Sequence, residues 1–213
     1  MLLNQIEDYQ VILASSSPRR KELLKGMGIN YSVELGQEVD ETYPPDLPPA
    51  KIPEFLARLK SQAFPRNLSD NELLLTADTI VACKGQVLGK PIDASDAARM
   101  LQTLSGNRHE VLTGICLRTR HHEKCFTACS AVTFRHLSPA EISYYVDTYK
   151  PFDKAGAYGA QEWIGYIGIE HIEGSYFNVM GLPTQRLYVE LSEFLAEIKN
   201  RADLTAGTNH NLP

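Results

Sequence analysis

The chain has 213 residues, 43% of them hydrophobic and 22% charged, a balance that excludes a disordered polymer and fits about one domain at ~150 residues per domain. Its 21 Lys+Arg against 26 Asp+Glu leave a formal charge of −5, so no global positive field draws in a nucleic acid polymer or an anionic membrane, and an anionic ligand needs a local cluster of cations. No apolar run approaches the ~18 residues of a spanning helix. The start, MLLNQIEDYQ, lacks a signal-peptide pattern, and the four cysteines are few and irregularly spaced, so the expectation is a cytoplasmic protein with reduced thiols.

Val11-Ile12-Leu13-Ala14 predicts a short buried strand that enters Ser15-Ser16-Ser17-Pro18, where Ser17 can cap a helix and Pro18 take its first position. That helix should bury Leu23, Leu24 and Met27 and end at Gly26 or Gly28. A strand is expected over 31–35, a proline-rich loop over 43–49, and a helix over 50–63 burying Ile52, Phe55, Leu56 and Leu59. Residues 73–82 read as a central strand and Val87-Leu88 as its short return. Asp93-Ala94-Ser95-Asp96 opens a helix with Ala97, Met100, Leu101 and Leu104 inward. Residues 110–117 and 125–135 predict two strands joined across His121-His122-Glu123, and Ser138-Pro139-Ala140-Glu141 a capping box ahead of a helix to Tyr149. Short strands are expected near 163–172 and a last helix over 183–199. Strands and helices intermix, which predicts an α/β fold with a mixed sheet, one domain over 1–200 and a disordered tail over 201–213.

Two helix starts with the same Ser-Pro opening differ in charge. Ser138-Pro139-Ala140-Glu141 places an acid at the positive helix end, whereas Ser17-Pro18-Arg19-Arg20-Lys21 places three cations there, each disfavoured by roughly 0.3–1 kcal/mol. A strand, a serine-rich turn and a helix N-terminus form a phosphate cradle, and an anion would explain the cations; solvated arginines are the alternative. In Thr76-Ala77-Asp78-Thr79-Ile80-Val81 an aspartate interrupts an apolar run. A buried, unpaired carboxylate costs several kcal/mol, so Asp78 needs a cation, a metal or a cleft, unless it marks a turn between two shorter strands. Lys90 follows the next hairpin within reach of such a cleft. Asp40-Glu41 and Lys60 are unremarkable alone, and the small residues from Asp153 to Gln161 allow close backbone approach to a ligand. His121, His122, Cys125 and Cys129 match no zinc spacing and read as a hairpin tip; the serines lack a nucleophile elbow.

Together the segments 13–24, 77–81, 89–91, 104–111, 153–159 and 179–183 resemble, in order and spacing, the Maf family of nucleoside triphosphate pyrophosphatases over about residues 11–195. The resemblance implies an elongated mixed sheet flanked by helices, with two lobes around a deep cleft. It implies hydrolysis of a nucleoside triphosphate to the monophosphate and diphosphate, with Mg²⁺ or Mn²⁺ as cofactor, and allows a homodimer. By position, Asp78 is the family's catalytic residue, as proton acceptor or metal ligand, and Glu41 matches an acid that binds metal. Ser15, Ser17, Arg20, Lys60 and Lys90 fall in the phosphate-binding set, and Arg19, Thr79 and Gln161 where the family sets base specificity. All three specificity positions follow the dTTP/UTP pattern rather than that of the sister group acting on 7-methyl-GTP. One departure exists: the family usually has Gly after Gln161, where this chain has Glu162-Trp163. Alternatives are a housecleaning pyrophosphatase for modified nucleotides and a non-catalytic, nucleotide-sensing regulator of cell division.

Overall fold

The β-branched and leucine-rich segments assemble one sheet whose strand order places residues 72–83 at its centre. A computed structural model describes residues 1–208, with side chains through Arg201. The strands are β1 (Gln10–Leu13), β2 (Tyr31–Val33), β3 (Glu72–Cys83), β4 (Gln86–Leu88), β5 (Arg108–Arg118), β6 (Glu123–Phe134) and β7 (Ile169–Glu173). The helices are α1 (Leu2–Ile6), α2 (Pro18–Gly26), α3 (Ile52–Gln62), α4 (Ala94–Leu104), α5 (Pro139–Tyr149), α6 (Trp163–Gly168), α7 (Tyr176–Val179) and α8 (Thr184–Thr208). The seven strands run in the order β2-β1-β3-β5-β6-β7, with β4 pairing β3. β1 is parallel to both β2 and β3, and the remaining pairs are antiparallel. The α/β class and mixed sheet are therefore as expected.

Two cores share the long central strands. One packs Leu73, Leu75, Ala77, Ile115 and Leu117 against α2 through Leu23 and Leu24, and against α8 through Leu187, Leu191 and Phe194. The other packs Val81, Cys83, Val111 and Val132 against Leu101 and Leu104 of α4, Tyr145 of α5 and Ile164 of α6. Burying one such Leu or Val side chain contributes about 1.5–3 kcal/mol, so each core is a substantial anchor. Residues 78 and 79 of β3 lie in neither core. Thr79 sits at the seam between Ala77 of the first core and Val81 of the second, while Asp78 points to the other face, where Ile52 and Leu56 of α3 pack on Ile80 and Leu112.

Most predicted elements form, and the differences have local causes. Residues 163–168, expected as strand, form α6: Glu162 stands at its N-cap position and Gly165 N donates to Glu162 O at 2.9 Å, so the chain turns before β7 begins. The capping box at Ser138 and Glu141 forms in full. α8 continues past the predicted end at 199 through Thr208, across residues with no proline to stop it. The rest of the predicted tail, 209–213, lies outside the described residues. No helix among the described residues is long and apolar enough to cross a membrane.

Candidate active site

The alternation of β3 sorts its side chains between two helices. Thr76 donates to Ala57 O of α3 at 2.6 Å and Asp78 meets Lys60 of the same helix, while Thr79 accepts from Arg20 of α2 at 3.1 Å. Asp78 is not a turn residue. It lies in unbroken strand opposite Gly114 of β5 and is 8% exposed. Gly114 explains how α3 comes so close: a Cβ there would lie 2.1 Å from the Pro53 carbonyl carbon, so the first turn of α3 rests directly on β5. Two turns further along the same helix face stands Lys60.

Lys60 Nζ is 2.5 Å from Asp78 Oδ1 and 2.9 Å from Glu41 Oε1. Burial pushes the Glu41 carboxyl up, but the hydrogen bond and charge of Lys60, helped by Lys90 and Arg20, outweigh it and hold it below the usual carboxylate range. The cation that Asp78 required is thus Lys60, and the loop acid Glu41 reaches the same ammonium. These two converging carboxylates are hard oxygen donors of the kind that Mg²⁺ and Mn²⁺ take.

Arg20 is more committed than a free phosphate ligand would be. Its guanidinium donates to Ala77 O and Gly181 O at 2.9 Å each, to Thr79 Oγ1 at 3.1 Å and to Ser15 Oγ at 3.3 Å. Burial draws its pKa down, against the opposing pull of Asp78. Gly181 presents its carbonyl from φ +110°, a conformation that L side chains rarely adopt. Arg20 therefore ties α2, β3 and the turn before α8 together at the seam, and its charge remains beside the cleft.

The cradle itself is open. Ser17 occupies the N-cap position of α2, but its hydroxyl makes no cap hydrogen bond, contrary to the sequence expectation. Asp93, Ser138 and Ser175 at the starts of α4, α5 and α7 each accept a backbone N–H. At Ser17 the side chain leaves the first turn of α2 free toward the cavity, while Ser17 N itself donates to Ser15 Oγ at 3.3 Å. Of the three cations there, Arg19 and Arg20 line the cavity and Lys21 does not.

Arg19 pairs with Asp153 at 2.9 Å, and Lys154 Nζ continues to Asp153 Oδ1 at 2.7 Å and Glu162 Oε1 at 3.0 Å. Lys90 stands on a turn held by the Gly156 N to Gly89 O bond of 3.0 Å, and it has no ion-pair partner among the described residues. Gln161 Oε1 is buried without a hydrogen-bond partner among the described residues. Every predicted site residue, from Ser15 through Gln161, lines one cavity of about 910 Å³.

Residues 10–194 match the family model described as Maf-like protein. The chain belongs to the Maf family. Its relatives include a dTTP/UTP pyrophosphatase of Bacteroides thetaiotaomicron, 55% identical over 192 residues, covering 90% of this Maf chain and 100% of the relative. A dTTP/UTP pyrophosphatase of Bacteroides fragilis is 53% identical over the same shares, and one of Porphyromonas gingivalis is 50% identical over 91% of this chain and 98% of its own.

In this Maf chain the departure at Glu162 has a structural use. The Tyr145 hydroxyl donates to Glu162 Oε2 and accepts from Gly159 N at 3.0 Å, and Lys154 neutralises the other oxygen. The backbone on both sides of Gln161 is thereby fixed to α5. Sequence reasoning missed Tyr145, Asp153, Lys154 and Glu162 as a connected set. Lys154 sits in a flagged segment, but its burial to 8% exposure has no sequence signature. His121 and His122 belong to the β5–β6 turn region as expected, whereas Cys116, Glu123 and Cys125 come together instead.

Proposed function

We propose that this Maf chain hydrolyses dTTP and UTP to the nucleoside monophosphate and diphosphate. The observation that carries the reading is one ammonium, Lys60, holding two carboxylates, Asp78 and Glu41, inside a cavity also lined by an uncapped helix start bearing Arg19 and Arg20. A triphosphate brings about four negative charges, which the first turn of α2, Arg20, Lys60 and Lys90 offset. Asp78 accepts a proton from the attacking water as its oxygen bonds to the α-phosphorus and the bond from that phosphorus to the bridging oxygen breaks. Lys60 holds Asp78 in place beforehand through their 2.5 Å ion pair. Glu41 and Asp78 would hold a Mg²⁺ or Mn²⁺ ion, which when bound supplies charge stabilisation to the departing diphosphate.

At the base end, the orphaned Gln161 Oε1 is an acceptor awaiting a donor. The N3–H of thymine or uracil is such a donor, and the unpaired amide makes its loss costly. Arg19 and Thr79 complete the specificity set. The relatives named dTTP/UTP pyrophosphatase support this substrate class. The two cores share β3, which supports reading residues 1–200 as one domain with two lobes about the cleft.

Diphosphate release measured across dTTP, UTP, 5-substituted pyrimidine, purine and 7-methylguanosine triphosphates, with Mg²⁺ or Mn²⁺ and then with chelator, tests the reading. Hydrolysis of dTTP and UTP well ahead of the purines, lost on chelation, is expected. Purine preference, or turnover indifferent to chelator, overturns it.

A further inference from the structure

Outside the cavity, on the sheet face that α3 covers, the β5–β6 ladder sets Cys116 directly opposite Cys125, with Glu123 two residues before Cys125 on the same face of the sheet. The two sulfurs and a Glu123 carboxylate oxygen all lie within 4.8 Å of one another. We propose that Cys116, Cys125 and Glu123 form a binding site for a thiophilic divalent cation of the Zn²⁺ class, separate from the nucleotide site. Zinc–ligand bonds of ~2.3 Å at tetrahedral angles need ligand atoms roughly 3.8 Å apart, so only small side-chain rotations close the set around an ion. Soft sulfur donors select such an ion over Mg²⁺, which takes oxygen ligands.

The surroundings fit a metal site with one open position. Cys116 is fully buried with its sulfur within 4.8 Å of the Cys125 sulfur, while Cys125 is half-buried, so solvent can supply a fourth ligand. Arg58 donates to Glu123 Oε1 at 3.0 Å, which orients the carboxylate toward the two sulfurs. On binding, two sulfur–metal bonds and one oxygen–metal bond form, and the two thiol protons pass to solvent. Arg58 and Ser61 flank Lys60 on α3, so the ion would tie β5 and β6 to the helix that holds Asp78. None of the cysteines or histidines set aside on spacing is needed except Cys125, because the pairing across the ladder, not the interval along the chain, makes the set.

The test is Cd²⁺ titration of the reduced full-length protein in excess Mg²⁺, following the ultraviolet thiolate-to-metal charge-transfer band, with Zn²⁺ as competitor. One saturable equivalent, displaced by Zn²⁺, is expected. It should be lost in Cys125→Ser and in Cys125→Ala, kept in Cys129→Ser, and weakened about 10-fold or more in Glu123→Gln. Circular dichroism confirms folding, and the paired Cys125 variants keep the test valid if one of them misfolds. No band in the wild type, a band that survives both Cys125 variants, or one that disappears in Cys129→Ser overturns the proposal.

Discussion

Lys60 Nζ lies 2.5 Å from Asp78 Oδ1 while staying 2.9 Å from Glu41 Oε1, so a helix cation holds a strand carboxylate and a loop carboxylate at one point. Removing the charge of Asp78 preserves its shape but not its basicity. Asp78→Asn should therefore lower kcat for dTTP by ~10²–10⁴-fold while nucleotide still binds. Single-turnover rates beside equilibrium dTTP binding check this; near-normal turnover would remove Asp78 from the chemistry.

Gln161 offers a buried acceptor with no partner of its own. Gln161→Ala should lower the ratio of kcat/KM for dTTP over dATP by about 10–100-fold, the worth of one or two hydrogen bonds at 1.4 kcal/mol per tenfold. Thermal unfolding should be nearly unchanged, because the wild-type oxygen bonds nothing in the protein. A preserved ratio would place base selection elsewhere.

Arg20 donates to two carbonyls and two hydroxyls on three separate segments. A lysine keeps the charge but not the planar fork, so Arg20→Lys should destabilise the fold by roughly 2–4 kcal/mol through carbonyls left without donors. It should also raise KM, because the cradle loses its register with β3. A chemical denaturation curve unchanged from wild type would show that the charge alone matters.

His109 is buried against Tyr158, its Nε2 2.8 Å from the Tyr158 hydroxyl, and burial lowers its pKa from 6.5 to about 4. The folded ring stays neutral while the unfolded chain takes up a proton below about 6.5. Stability is therefore fully present above that pH and falls as pH drops toward 4, by about 3 kcal/mol across the window. Glu72 and Glu141, each held to about 2 by an arginine, act in a lower window, below about pH 4.5. Denaturant unfolding measured between pH 7 and 4 should show the upper loss in the wild type and not in His109→Gln. An equal slope in the variant assigns it to other groups.

Much of the site could be read from residues in series. The cation-rich start at Arg19 and Arg20 is anomalous beside the acid-bearing start at Glu141, and an aspartate within an apolar strand demands a partner wherever it occurs. Those signals are local, because helix polarity and strand burial are properties of short segments. The helix at 163–168 was not legible, because its start depends on Glu162 and on glycine packing rather than on an apolar period.

Partner choice was not local. Lys60 among the lysines, and Glu41 among the acids, become the companions of Asp78 only because Gly114 lets α3 settle on β5. Likewise, the spending of Arg20 on Ala77 and Gly181, and the hold of Tyr145 on Glu162, depend on residues 17 to 161 positions apart. The linear sequence determined the fold class, the central strand and which side chains carry the charge for phosphate chemistry. Tertiary structure decided which charges neutralise each other and which stay open to a ligand, since that depends on distances of about 3 Å between elements remote in sequence.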